Sequence, residues 1–285
     1  MEYKSIKLIE TYNELEKLSE ILYKKKEIAV DFEAESNLHR YGVYLCLMQI
    51  ADDENIYIID PLKIKDLTPI KKVFETSAIS KIMFSADFDV RLLFHSHKIM
   101  INNLYDLQIS AHLLDYGKLS LKDFIISVLQ KKAEDFLDCQ TSDWNIRPLT
   151  ENQVNYAADD VRYLILLKEK ISKEIALRKL DSFINIRNKE LQNVRFNNPI
   201  SPYFKVKNYH SLNRIGKKYM QKFYNIRDDI AQKRNLPPYK ILSNDLLIQL
   251  SKNPATTLEK LLKRFPKNRL WELEKFQKAY LEINK

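Results

Sequence analysis

Glycine and cysteine are both scarce in this 285-residue chain, and each shortage excludes a class of site. The three glycines are Gly42, Gly117 and Gly216, and no two of them stand in one loop. A P-loop and a G-x-G-x-x-G dinucleotide site are therefore excluded, because each needs clustered glycines to bring backbone against phosphate. The two cysteines, Cys46 and Cys139, form no C-x-x-C pair. Neither a disulfide framework nor a thiolate zinc site is encoded.

Long apolar runs are also missing. No run approaches the ~18 residues of a membrane span, and the first residues are too charged for a signal peptide. The composition, 45% hydrophobic and 30% charged, suits one or two soluble domains. We therefore expect a soluble, cytoplasmic protein in a reducing compartment.

Positive charge is concentrated in the last third of the chain. Residues 1–200 carry 28 Lys and Arg against 31 Asp and Glu, whereas residues 201–285 carry 19 against 7, a net charge of +12. Such a segment favours a polyanionic partner, and nucleic acid is the common case. A solvated basic surface that serves only solubility is an equal alternative on charge alone.

A stretch rich in Asn and Pro at residues 196–207 divides the chain into two predicted domains, 1–195 and 205–285. The first alternates strands and helices, which predicts an α/β domain with a mixed sheet, and the second has helical periodicity only. Capping boxes begin helices at Thr11 and Thr150. Trp144 and Trp271 are expected core residues. Predicted strands are 28–32, 44–50, 55–60 and 81–85; predicted helices are 11–25, 67–77, 88–95, 107–115, 121–129, 150–194, 211–234, 243–250, 257–262 and 268–283.

The first candidate site residues are Asp31 and Glu33, at the end of the predicted strand 28–32. Residues i and i+2 of a strand share a face, so both carboxylates point one way while Phe32 points into the core. Their repulsion at 4 Å amounts to ~1 to 4 kcal/mol, and a divalent cation would reverse its sign. A turn at the strand end is the simpler alternative.

A second candidate is Asp89, where a predicted strand runs into a helix. Asp87 stands at the expected N-cap position, so we expect backbone N–H groups to occupy its side chain. Asp89 lies one turn into the helix and can project toward the strand tips. Its alternative role is that of a first-turn acid that favours the helix dipole.

The third candidate is the pair Tyr156 and Asp160, which are i and i+4 on one helix face. The small side chains of Ala157 and Ala158 allow this helix to approach its neighbours closely. Asp159 is rotated by about 100° and should face solvent or another partner. An ordinary surface pair is the alternative interpretation.

Taken together, these residues resemble the DEDDy branch of the DEDD 3′–5′ exonucleases, and ribonuclease D most closely. Its motifs D-x-E, D and Y-x-x-x-D match Asp31 and Glu33, Asp89, and Tyr156 and Asp160. The chain departs from that family at Phe84, where His or Asn is frequent, and in the segment 135–139, which lacks a frequent lysine. Further similar segments are D-P-L at 60–62, S-D-W-x-x-R-P-L-T at 142–150, and three HRDC-like segments at 227–231, 235–238 and 241–247.

The resemblance implies a ribonuclease H-like exonuclease domain followed by one small all-α HRDC domain. It implies two divalent ions, Mg²⁺ or Mn²⁺: Asp31, Glu33 and Asp160 would hold one, and Asp89 would hold the other, with Asp31 bridging. Tyr156 would position the attacking water. The expected partner is RNA, either tRNA precursors or other structured 3′ ends, from which a monomeric enzyme would release nucleoside 5′-monophosphates.

Three alternatives remain open at this point. A DNA exonuclease would use the same acids, since they do not distinguish the sugars. A non-catalytic nucleic-acid binder could keep the fold, although the five intact residues argue against it. An HRDC-type adaptor would need the basic domain to act alone.

Overall fold

A computed structural model describes residues 3–132, 139–197, 202–264 and 269–284. Most of the segment 135–139, in which the family's lysine is missing, lies outside these residues, as do the centre of the predicted domain boundary and the predicted helix start at Asn268. The described chain forms two compact units. The first contains residues up to 34 and 44–196, and the second contains 35–43 and the residues from 197 onward.

A six-stranded mixed sheet in the order β1-β4-β3-β2-β5-β6 forms the centre of the first unit. β2, β5 and β6 run parallel to one another, so their carboxyl ends meet at one sheet edge, while β3 and β4 are antiparallel. The predicted mixed-sheet α/β class is confirmed. The strands are β1 (Ser5–Ile9), β2 (Glu27–Ser36), β3 (Val43–Ala51), β4 (Asn55–Ile59), β5 (Ser80–Met83) and β6 (Leu104–Asp106).

Strands β1 and β6 are absent from the sequence prediction. β1 pairs in parallel with β4, from Ser5 opposite Asn55 to Ile9 opposite Ile59, and only Ile9 in it is buried. An edge strand with one buried residue has no clear period-2 pattern. β6 has only three residues. Both strands exist because a neighbouring strand supplies their hydrogen bonds.

Eight helices of the first unit cover the sheet in the described chain. The single predicted helix 150–194 divides into three, with breaks at Tyr163 and near Lys179, whose φ of 56° is left-handed. Both predicted capping boxes are present. The helices are α1 (Tyr12–Leu22), α2 (Thr68–Glu75), α3 (Asp87–His97), α4 (Leu107–Leu113), α5 (Leu121–Leu129), α6 (Glu151–Arg162), α7 (Leu164–Leu177) and α8 (Asp181–Gln192).

The second unit is helical, as predicted. Two of its helices begin with a proline, which is tolerated because the first helical residue needs no N–H donor. Pro238 and Pro254 each occupy such a position. Its helices are α9 (Arg214–Arg234), α10 (Pro238–Ile241), α11 (Asn244–Lys252), α12 (Pro254–Arg264) and α13 (Leu270–Ile283).

Aromatic side chains build the core of this helical unit. Phe223 stacks on Tyr219 with ring centroids 5.5 Å apart and contacts Phe276 at 5.7 Å. Trp271 is 41% exposed, so its predicted core role is wrong, while Trp144 of the first unit is buried as expected. None of the helices in the described part of the chain is long and apolar enough to cross a bilayer.

Candidate active site

Strand β2 carries the first two acids of the site. The sequence analysis placed Asp31 and Glu33 at the end of this strand. The strand continues to Ser36, so both residues lie within it. Their spacing of two residues places both side chains on one face. Phe32 points to the other face, is buried and contacts Phe74 with ring centroids 6.1 Å apart. The rigid strand therefore sets the direction of both carboxylates.

Helix α6 supplies the next two groups. Its first turn is held by the Thr150 capping box, in which the Gln153 N–H donates to Thr150 Oγ1 at 3.2 Å and the Thr150 N–H donates to Gln153 Oε1 at 3.0 Å. Two turns on, the Tyr156 hydroxyl and the Asp160 carboxylate are neighbours, close enough for each group to shift the pKa of the other. The predicted i, i+4 pair therefore shares one helix face.

The other residues of this helix segment also lie as predicted. Ala157 and Ala158 are fully buried, so α6 packs closely on the domain core. Asp159 points elsewhere and pairs with Arg162, whose Nε lies 2.6 Å from its Oδ1. Of the two adjacent aspartates, only Asp160 faces the acids of β2.

Three carboxylates converge at this place. Oxygens of Asp31, Glu33 and Asp160 all lie within 4.8 Å of one another. Asp89 does not belong to this tight group, but it is buried and close enough for its charge to act on Asp31 and Glu33. The structure therefore assembles the four predicted acids with Tyr156, with Asp89 at the margin.

Asp89 lies in the first turn of α3, and here one prediction is wrong. The N-cap residue is Ala86, and Asp87 is the first helical residue. The Asp87 carboxylate is not used by backbone N–H groups but pairs with Arg91, whose Nε lies 2.8 Å from Oδ1. Asp89 is consequently the aspartate of this turn that faces the other acids.

Sequence reasoning missed the residue that holds the start of α3. Asp106, buried at the end of β6, accepts hydrogen bonds from the N–H groups of Ser85 and Ala86, both at 2.9 Å. It also caps α4 by accepting from the Gln108 N–H at 2.8 Å. The N-cap pattern of an aspartate before a helix was the available signal. Its hydrogen bonds to a loop about 20 residues away could not be predicted from the neighbouring sequence.

Burial and mutual repulsion disturb the acidity of all four carboxylic acids. Withdrawal from water is the largest cause in each case, and it raises the pKa of Asp160 to about 7 and that of Asp89 to about 8. The pKa of Asp31 is raised well above its usual range, first by burial and then by the charges of Asp160, Asp89 and Glu33. The pKa of Glu33 is raised well above its usual range too, by burial and by Asp160 and Asp89. Without a cation the site retains protons near neutral pH.

Burial also raises the pKa of the Tyr156 phenol, and the neighbouring charges of Asp160, Glu33 and Asp31 raise it further. The hydroxyl is therefore protonated over the physiological range, and it has a proton to donate to the neighbouring Asp160. A phenol in this state can orient a neighbour but is a poor base.

The donor set fits a hard divalent cation. The ligand atoms are carboxylate oxygens that converge within 4.8 Å, which suits Mg²⁺ or Mn²⁺ better than zinc. Among the described residues, no lysine or arginine pairs with Asp31, Glu33, Asp89 or Asp160. A bound cation would supply the missing positive charge.

Comparison with protein families decides what kind of domain carries these acids. A family model described as 3′-5′ exonuclease matches residues 6–176, more than half of the chain. The chain belongs to the 3′-5′ exonuclease family. An HRDC domain model matches residues 217–274 in the helical part. The family that the motifs resembled, and its division into an exonuclease domain and an HRDC domain, are therefore confirmed.

Individual relatives of this chain include an exosome complex component and a ribonuclease. The chain is 28% identical over 257 residues to human exosome complex component 10, covering 85% of this chain but only 28% of that protein. It is 28% identical over 260 residues to ribonuclease D of Desulfotalea psychrophila, covering 89% of this chain and 68% of the relative. This chain thus spans under a third of the exosome relatives it matches.

Solved structures confirm the fold. The catalytic core of RRP6 from Trypanosoma brucei superimposes with a TM-score of 0.83 at 23% identity, covering 97% of this chain and 80% of that one. At this identity the likeness concerns the fold alone. The mixed sheet followed by a helical unit is the architecture that the sequence resemblance had implied.

Proposed function

We propose that this protein is a metal-dependent 3′–5′ exoribonuclease that removes terminal nucleotides as 5′-monophosphates. The observation that carries the proposal is the convergence of Asp31, Glu33 and Asp160 within 4.8 Å, with Tyr156 beside Asp160, in a 3′-5′ exonuclease domain. The name of one relative, ribonuclease D, favours RNA over DNA as substrate. Residues 1–195 would perform cleavage, and residues 205–285 would bind RNA.

Asp31, Glu33 and Asp160 would hold one Mg²⁺ or Mn²⁺ ion, and Asp89 a second, with Asp31 shared. When bound, such ions acidify the attacking water and neutralise charge that develops on the scissile phosphate. The protein's own contribution is to hold four acids ready in a site where Glu33 and Asp89 are buried and Asp31 and Asp160 are partly exposed. Their raised pKa values mean that metal binding displaces protons, so metal affinity should rise with pH.

Tyr156 has a positioning task in this scheme. Its hydroxyl keeps its proton and can donate it in a hydrogen bond to the neighbouring Asp160, which leaves the oxygen lone pairs free to accept a hydrogen bond from the attacking water. The phenol would therefore orient the water without removing its proton. All five residues, Asp31, Glu33, Asp89, Tyr156 and Asp160, are proposed to be catalytic.

The decisive experiment compares RNA and DNA of one sequence, each labelled at the 5′ end, with Mg²⁺, Mn²⁺ or EDTA. We expect a ladder of products shortened one nucleotide at a time on RNA, no product in EDTA, and none with Asp31→Asn. Faster degradation of DNA would support a DNA exonuclease instead. RNA binding without any EDTA-sensitive product would indicate a non-catalytic binder.

The basic helical unit supports a role in RNA binding. Arg214 and Lys218 are exposed one turn apart on α9, and Lys205 and Lys207 are exposed just before it. Cationic side chains at positions i and i+4 share a helix face and can contact phosphates along a nucleic-acid backbone. We propose that this face binds structured RNA such as tRNA precursors beyond the nucleotide being cleaved.

Charge substitutions in the full-length protein test this role. Truncation is unsuitable because residues 35–43 pack within the helical unit, where the Tyr41 hydroxyl donates to Asp228 Oδ2 at 2.7 Å. In EDTA, the double variant Arg214→Gln and Lys218→Gln should lower the salt-dependence slope of RNA affinity by about 1.4 to 1.8, which corresponds to two phosphate contacts on single-stranded to double-stranded RNA. The control, Lys170→Gln and Lys173→Gln on α7, removes the same charge from exposed positions of the first unit. Equal slopes in both variants would contradict the proposal.

A further inference from the structure

Two sequence segments that the catalytic scheme does not use meet in a buried ion pair. Arg147 comes from the S-D-W-x-x-R-P-L-T segment, and Asp60 comes from D-P-L, directly after β4. Arg147 Nε lies 2.6 Å from Asp60 Oδ2, and Arg147 Nη2 lies 3.0 Å from Asp60 Oδ1. The side chains are only 17% and 5% exposed. The pair is therefore bidentate and largely shielded from water.

The other N–H groups of Arg147 bind backbone carbonyls. Nη1 donates to the carbonyl oxygens of Trp144 at 2.7 Å and Ile146 at 2.9 Å, and Nη2 donates to that of Cys46 at 3.0 Å. A guanidinium has five N–H donors, so every one of them has an acceptor. Arg147 thus ties the segment just before α6 to strand β3 and to the end of β4.

This segment packs beside Tyr156, the tyrosine proposed to be catalytic. Trp144 is 3% exposed, and its ring lies 6.0 Å from the ring of Tyr156, centroid to centroid. The next residue, Asn145, accepts a hydrogen bond from the Tyr44 hydroxyl at 2.6 Å, a second tie to β3. The indole is therefore fixed through its own backbone on one side and contacts the phenol on the other.

We propose that Arg147 is a positioning residue, which holds Trp144 against Tyr156 and so sets the place of the Tyr156 hydroxyl beside the acid cluster. This inference rests on the proposed exonuclease function. The required geometry is a planar fork with five donors, and a lysine ammonium cannot reproduce it. Arg147→Lys therefore keeps the charge but loses the anchoring of Trp144.

The first test is a double-mutant cycle on the full-length protein. Arg147→Lys should lower the single-turnover cleavage rate roughly 10- to 100-fold, with KM changed less than about threefold. In a Tyr156→Phe background the same substitution should lower the rate less than about threefold, because the hydroxyl it acts through is already gone. Equal losses in both backgrounds, or no loss in either, would overturn the proposal.

The control is another shielded ion pair of the same unit, away from the acids. Lys25 Nζ lies 3.3 Å from Oδ2 of the buried Asp52. Lys25→Gln should lower the melting temperature while leaving the cleavage rate within about twofold of wild type, because none of the contacts of this pair in the described chain involves Tyr156. A comparable rate loss in this variant would mean that the effect of Arg147 reflects stability alone.

A readout independent of activity separates this inference from the proposed function. With Trp271→Phe as background, Trp144 is the single tryptophan and its fluorescence reports on its burial. Arg147→Lys should shift its emission to longer wavelength and increase quenching by acrylamide, whereas Lys25→Gln should not. An unchanged Trp144 spectrum in Arg147→Lys overturns the inference. A wild-type protein without nuclease activity refutes the proposed function, while the spectrum still decides whether Arg147 holds Trp144.

Discussion

Raising the pH should destabilise the metal-free protein through its acid cluster. An acid with a raised pKa keeps its proton in the folded state at pH values where the unfolded chain has already lost it, so folding stability falls as pH rises. The pKa of Asp160 is raised from 3.8 to about 7, chiefly by burial and then by the charge of Asp159. Between pH 5.5 and pH 7 the loss is about 1.4 kcal/mol per unit, or about 2 kcal/mol for Asp160 alone.

The assay is urea unfolding in EDTA at pH 5.5 and pH 8, followed by Trp144 fluorescence in the Trp271→Phe background so that only the first unit is observed. Asp160→Asn is the matched comparison, because the amide has the same shape but no charge to titrate. Its stability should change less with pH by about 2 kcal/mol. The buried Lys81, whose pKa burial lowers to about 7, acts in the opposite sense, but it is present in both proteins and cancels.

Added Mn²⁺ should recover the stability lost at pH 8. A ligand at about 100 times its Kd stabilises the folded state by about 2.7 kcal/mol. Asp31→Asn, which removes the acid proposed to bridge two ions, should abolish that gain. If the wild type and Asp160→Asn lost equal stability between the two pH values, the electrostatic account of the cluster would be wrong.

Three further substitutions test individual parts of the site. Tyr156→Phe should slow single-turnover cleavage roughly 100-fold or more, as expected for loss of a group that acts on the attacking water. The rise in melting temperature that Mn²⁺ induces should remain in this variant. Near-wild-type cleavage would remove Tyr156 from the mechanism. Thr150→Ala breaks the α6 capping box and should cost about 1 kcal/mol in urea unfolding, whereas an unchanged midpoint would mean that tertiary packing alone holds the helix start. Asp106→Asn should weaken the hydrogen bonds from the N–H groups of Ser85 and Ala86. Because these bonds hold the start of the helix that carries Asp89, the affinity for Mn²⁺, measured by calorimetry, should fall. Unaltered affinity would mean that Asp106 does not influence the metal site.

The candidate site was predictable from the sequence wherever it depends on the local period of the backbone. Asp31 and Glu33 share a face because side chains alternate along a strand, and Tyr156 contacts Asp160 because a helix brings i and i+4 together. The capping box at Thr150 predicted the start of α6 for the same reason. In each case the geometry is contained within a few consecutive residues.

Predictions failed where the deciding partner lies far along the chain. Asp87 is a residue type that is common at the N-cap position. However, Asp106 from the next strand accepts the hydrogen bonds from the N–H groups of Ser85 and Ala86. Strand β1 is defined by its pairing with β4 about 50 residues later, and its own residues carry little hydrophobic pattern. Helix 150–194 was predicted as one element because nothing in its composition marks the left-handed residue Lys179.

The sequence alone therefore determined which residues are proposed to carry the chemistry, the two-part organisation and the excess positive charge of the helical part. Tertiary structure alone decided how closely the acids approach, how far burial shifts their pKa values, and that Arg147 meets Asp60 across 87 residues. The physical reason is that periodicity fixes direction within one element, whereas distance, dielectric environment and hydrogen-bond partner depend on which elements pack together.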